Sequence, residues 1–211
     1  MSRLAMAAAS ATLGACIGIA LLVVVNRPTE PPAIVTPVAA TTAEQAPESE
    51  AASTTPVETA TAPAAARPVR VIIPAIDVDA DLVGLGLNPD SSMEVPDFGD
   101  AGWYTPGPTP GEAGPAVIAA HVDSVAGPDV FHRLDQLRTG DRVIVEHADG
   151  TRSTFVVRRR EQERKDELPV ERIWDDTTEP VLRLITCGGE FDQQRRSYRS
   201  NVIVYADATS T

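Results

Sequence analysis

Cys187, His121 and Arg199 are the side chains in this sequence whose types and settings suit covalent chemistry. Cys187 closes the run Val181–Thr186 and is followed at once by Gly188-Gly189. That run and Asn201–Ala206 are rich in β-branched residues and flank a polar loop, which predicts a strand pair. On a pleat of period two, Arg183, Ile185 and Cys187 share one face, and Arg199, Asn201 and Ile203 share one face of the partner. Pairing then sets a thiol and a guanidinium side by side at one sheet end. A nearby cation favours the thiolate, the form of cysteine that attacks electrophiles. Gly188 and Gly189 leave space beside the sulfur, where the backbone can approach a ligand. Arg195 and Arg196 fall in the loop, where a charge is simply solvated, so Arg199 is preferred and Arg196 is the alternative.

Of the three histidines, His121 has the most suggestive setting. It follows the buried-looking run Val117-Ile-Ala-Ala120 and precedes Val122-Asp123-Ser124, where a strand passes into a loop. Taken alone, a histidine there is more often structural than catalytic. His132 reads as a surface or capping residue, and His147, beside the turn Ala148-Asp-Gly150, reads as solvated. No pair of histidines stands at metal-binding spacing, and a structural zinc site needs four close ligands, so no metal and no cofactor are expected. Cys187 has a plain alternative as well, a buried inert thiol packed like a small hydrophobe.

The elements around these residues fall into three parts. Leu4–Val25 has no charge over 22 residues. As a helix it would be roughly 33 Å long, close to the ~30 Å hydrocarbon core of a bilayer. The expectation is an uncleaved anchor within residues 1–27, N-terminus cytoplasmic and the bulk of the chain outside. Residues 28–66 are dominated by Ala, Pro, Thr and Glu, too polar to offset their chain entropy by burial, and read as a disordered tether. Residues 67–211 form a single domain with the β-like runs Val69–Ile73, Ala80–Leu85, Ala116–Ala120, Arg142–Glu146, Ser153–Arg158, Val181–Thr186 and Asn201–Ala206. Turn residues separate them, which predicts an antiparallel barrel or sandwich. Pro128–Leu137 is the one clear helical stretch, with Val130, Phe131, Leu134 and Leu137 on its apolar face. A hydrophobic content of 43% with only 4% aromatics leaves aliphatic residues to fill the core. A net charge of −12 argues against a nucleic-acid surface.

An ordered set of motifs resembles the sortases, cysteine transpeptidases of Gram-positive cell walls, most closely their class F. The carriers are Val71-Ile-Ile-Pro-Ala-Ile76, Gly102-Trp-Tyr104, Pro110–Val117, Ala119-Ala-His121-Val-Asp-Ser124, Gly127-Pro-Asp-Val-Phe131, Leu137–Arg142, Leu184-Ile-Thr-Cys-Gly-Gly189 and Tyr198-Arg-Ser-Asn201. The resemblance implies a mostly β fold, a closed eight-stranded barrel with short helices and a groove on its outside. It implies Cys187 as nucleophile, His121 as general acid and base, and Arg199 as the stabiliser of substrate and oxyanion. Thr186, Gly188 and Asn201 are expected to support the site. Asp123 either orients His121 or caps the following loop. The substrate implied is a sorting signal similar to Leu-Pro-x-Thr-Gly, cut between Thr and Gly and passed to an amine of a peptidoglycan precursor. The enzyme is expected to be a monomer, with the membrane, the signal peptide and that amine as its partners. Two other readings stand beside it: a cell-wall cysteine peptidase that hydrolyses, and a tethered wall-binding module without activity.

Overall fold

The computed structural model describes residues 65–209, and these close into a barrel. The strands in chain order are β1 Pro68–Ile73, β2 Val78–Leu85, β3 Ala101–Tyr104 and β4 Gly114–Ala120, then the two-residue strands β5 Asp123–Ser124 and β6 Gly127–Pro128. They continue with β7 Arg142–His147, β8 Arg152–Arg164, β9 Pro180–Asp192 and β10 Ser197–Ala208. The barrel order is β1-β2-β3-β4-β9-β10-β8-β7, with β7 pairing back onto β1, while β5 and β6 form a separate small sheet. Closure leaves no unpaired edge. A four-residue helix, α1 Val170–Ile173, lies between β8 and β9.

Alternation explains most of the strands. In β2, Val78, Ala80 and Leu82 are buried while Asp79 and Asp81 face water. β9 is different, since its residues from Val181 to Gly188 are all buried. Leu182 and Leu184 point into the barrel with Val71, Ile73, Ile118 and Phe155. Ile185 and Cys187 point outward, where Ile185 meets a second apolar cluster containing Met93, Tyr104, Val117, Ile173 and Ile203. A strand covered on both faces reads as a continuous apolar run.

The fold departs from the sequence reading in several places. The barrel is not wholly antiparallel: β2–β3 and β4–β9 pair in parallel. Both pairs are joined by long connections, which parallel neighbours need. β3 supplies the eighth strand and is too short to signal itself. Pro128–Leu137 is not an α-helix; its only helical piece is the 3₁₀ turn Leu134–Gln136, although Phe131, Leu134 and Leu137 are buried as their spacing implied. His147 is buried, not solvated, between the carbonyl of Ala66 at 2.7 Å and Ser153 Oγ at 2.9 Å. Among the described residues no helix is long and apolar enough to cross a membrane. The expected anchor Leu4–Val25 and nearly all of the tether lie outside them.

Candidate active site

Strand register brings the site together from distant parts of the chain. β4 runs parallel to β9 with Ala119 beside Ile185. One residue on, the Thr186 hydroxyl donates to the carbonyl of Ala120 at 2.8 Å. His121 and Cys187 therefore follow at the same level of neighbouring strands. On the other side of Cys187, Asn201 of β10 stands directly opposite, and beyond it Glu163 of β8. Thr186 thus serves as the pin between the two strands that carry the thiol and the imidazole.

His121 is only 6% exposed. Its Nε2 lies 2.9 Å from the carbonyl of Pro96, and the Phe98 ring packs on the imidazole with centroids 4.4 Å apart. A carbonyl only accepts, so Nε2 carries the proton of the neutral ring and Nδ1 is its basic nitrogen. The Phe131 amide donates to the His121 carbonyl at 2.9 Å, which ties the residue to the core.

Cys187 is likewise 6% exposed, and burial pushes its thiol above the ordinary range. The Lys165 ammonium works against that shift, and the Asp123 carboxylate adds to it. Lys165 is the single lysine of the chain. It opens the 3₁₀ turn Lys165–Glu167 at the end of β8, and its Nζ donates to Ser197 Oγ at 2.9 Å. The sequence reading overlooked it among the arginines, yet its uniqueness was a usable signal. Because folding raises the thiol's pKa, the protonated form favours the fold, and that contribution is lost as pH rises through the raised value. Replacing Lys165 by methionine removes the counteracting cation and is expected to raise the thiol's pKa further. The rate of alkylation at pH 7 then falls several-fold, and the pH profile with a methanethiosulfonate reagent moves to higher pH. A profile that does not move would mean that Lys165 leaves the thiol untouched.

Arg199 is engaged by carboxylates of β9 in this structure. A register shift between Tyr198 and Ser200 interrupts the pleat. The half-exposed guanidinium sits 3.4 Å from carboxylate oxygens of both Glu190 and Asp192. Asp123 neither orients His121 nor caps the loop; its carboxylate accepts the Tyr198 hydroxyl, whose pKa is pushed up to about 12. Arg196 lies exposed in the β9–β10 turn in a left-handed conformation.

Gly188 and Gly189 are packed closely against β10. A Cβ on Gly188 would come within 2.7 Å of Val202 Cγ2, and one on Gly189 within 2.9 Å of Ser200 Oγ. Gly189 also has φ +76°. The pair is required by close packing of β10 on β9. Gly188→Ala is expected to cost about 1–3 kcal/mol, the range for overpacking, read as a lowered denaturation midpoint. An unchanged midpoint would show that Val202 can yield.

Val95 and Pro96 cover the groove floor made by Ala119, Ile185, Cys187 and Asn201, leaving a gap of about 10 Å³. Beside it opens a groove of about 430 Å³ with Phe98, Val125, Phe191 and Tyr198 in its wall. Among the described residues no group of His, Cys, Asp and Glu is arranged to hold a metal ion.

The sortase domain family matches residues 71–209. Solved structures with the same fold include sortase C1 from Streptococcus agalactiae, with TM-score 0.54 and 23% identity, covering 68% of this chain and 67% of that one. Sortase A from Corynebacterium diphtheriae has TM-score 0.54 and 18% identity, covering 69% and 62%. Sortase C-1 from Actinomyces oris has TM-score 0.52 and 16% identity, covering 68% and 72%. The chain spans about two thirds of the length of these proteins. No curated protein matches it.

Proposed function

The chain belongs to the sortase family, and from that premise we propose that it is a cysteine transpeptidase of the class F type, held at the outer face of the cell membrane by Leu4–Val25. The observation that carries the reading is the parallel register of β4 and β9, pinned by the Thr186–Ala120 bond, which sets His121, the residue after β4, level with Cys187 on β9. The substrate is a sorting signal similar to Leu-Pro-x-Thr-Gly.

In the first half-reaction the thiol proton passes to His121, and Sγ bonds to the threonine carbonyl carbon. The resulting oxyanion collapses, the Thr–Gly C–N bond breaks, and His121 returns the proton to the departing amine. In the second, an amine of a cell-wall precursor bonds to the thioester carbon and gives its proton to His121, the C–S bond breaks, and His121 returns that proton to the departing sulfur. Lys165, and Arg199 once it leaves Glu190 and Asp192, supply positive charge near the developing oxyanion. That release is inexpensive, since exposed ion pairs are weak.

The burial of Cys187 favours a second reading, a tethered wall-binding module with an inert thiol. One experiment separates the two. The full chain in detergent is incubated with a Leu-Pro-x-Thr-Gly peptide and an amine acceptor, and the products are weighed by mass spectrometry. A threonine–amine product supports the transpeptidase; a free threonine acid alone supports a hydrolase. An uncut peptide panel together with a thiol that resists native alkylation supports the binding module.

A further inference from the structure

Asn201 is 1% exposed, and its side-chain carbonyl oxygen is buried without a hydrogen-bond partner. Such an atom costs stability unless something satisfies it. Its cross-strand neighbours offer little. Cys187 on one side is at best a weak donor, and Glu163 on the other is an acceptor already paired with Arg172. The gap it borders, between the floor and Val95–Pro96, is about 10 Å³, hardly room for one water. The orphan oxygen therefore stands in the same pocket wall as the nucleophile, directly across from it.

We propose that Asn201 is a substrate-binding residue: its Oδ1 accepts the main-chain N–H of the peptide residue whose carbonyl Cys187 attacks. That nitrogen is two bonds from the carbon that joins the sulfur, so it is the main-chain donor on the acyl side nearest to Cys187. Residues paired across antiparallel strands lie about 5 Å apart, within reach of an asparagine amide. Entry of the peptide displaces Val95–Pro96 from the floor and gives the buried oxygen the donor the folded chain withholds. This role rests on the transpeptidase reading.

The test uses the full-length chain in detergent, as wild type and as Asn201→Leu, with two substrates. One is the Leu-Pro-x-Thr-Gly peptide, and the other carries an ester oxygen in place of the threonine N–H. With the amide peptide, Asn201→Leu is expected to lose about tenfold in kcat/KM, because the substrate N–H is buried unpaired. The ester costs the wild type a similar factor and costs Asn201→Leu nothing more, the signature of two groups that meet. Alkylation of Cys187 by a small methanethiosulfonate, which carries no peptide N–H, stays within about twofold of wild type. The thermal midpoint of Asn201→Leu equals or exceeds that of wild type. Equal kcat/KM for both proteins, equal ester penalties, or a midpoint lowered by several degrees would each overturn the proposal. If the variant does not fold, a wild type that takes ester and amide at one rate overturns it equally. A wild type that cuts neither substrate removes the transpeptidase reading itself.

Discussion

Cys187→Ala is expected to abolish cleavage and transfer of the sorting peptide, a loss on the order of 10⁴-fold or more, with the fold retained. The size follows from covalent catalysis: without the sulfur no acyl-enzyme forms, and residual positioning by the other groups recovers only a small part of the rate. Cys187 is the one free cysteine among the described residues, and Cys16, the other cysteine of the chain, lies outside them. Retention of the fold follows from how little is removed. Alanine keeps the Cβ on β9, and the lost sulfur bordered a narrow gap under Val95–Pro96. Circular dichroism and a thermal midpoint near wild type check the fold, while mass spectrometry checks for a thioester. Activity above about 1% of wild type would place the nucleophile elsewhere.

Phe131→Ala is the substitution expected to cost most in stability. The ring is fully buried inside the barrel with Leu134 and Phe155. Phe→Ala in a core costs about 3–5 kcal/mol, a large part of the 5–15 kcal/mol that holds a domain together. For a domain of this size that is a fall in thermal midpoint on the order of 10 °C. The effect extends to the site, because the Phe131 amide donates to the His121 carbonyl. Loosening that residue is expected to lower kcat more than it raises KM, since His121 moves protons rather than gripping the peptide. A midpoint shift below about 2 °C would mean that the barrel refills the space.

Much of this was readable along the chain. The strand pair holding Cys187, the alternation of β2 and the ordered motifs depend on residues a few positions apart. Their period is set by the backbone itself. The eight-strand barrel followed from the family resemblance, with β3 the strand that local pattern could not reveal.

The rest depended on contacts across the fold. Arg199 stands at a register shift between β9 and β10 and pairs with Glu190 and Asp192, contacts that no local pattern announces. Lys165 reaches the thiol's surroundings only because β8 runs on to Arg164 beside β10. Pro96 and Phe98 cover His121 because the β2–β3 connection folds back over the groove. Gly188 and Gly189 follow Cys187 because Val202 and Ser200 press against them. By itself the sequence determined which side chains carry chemistry and which strands present them. Only the tertiary structure decided which charges face the sulfur, since those contacts join residues distant in the chain and are set by strand register and the paths of long connections.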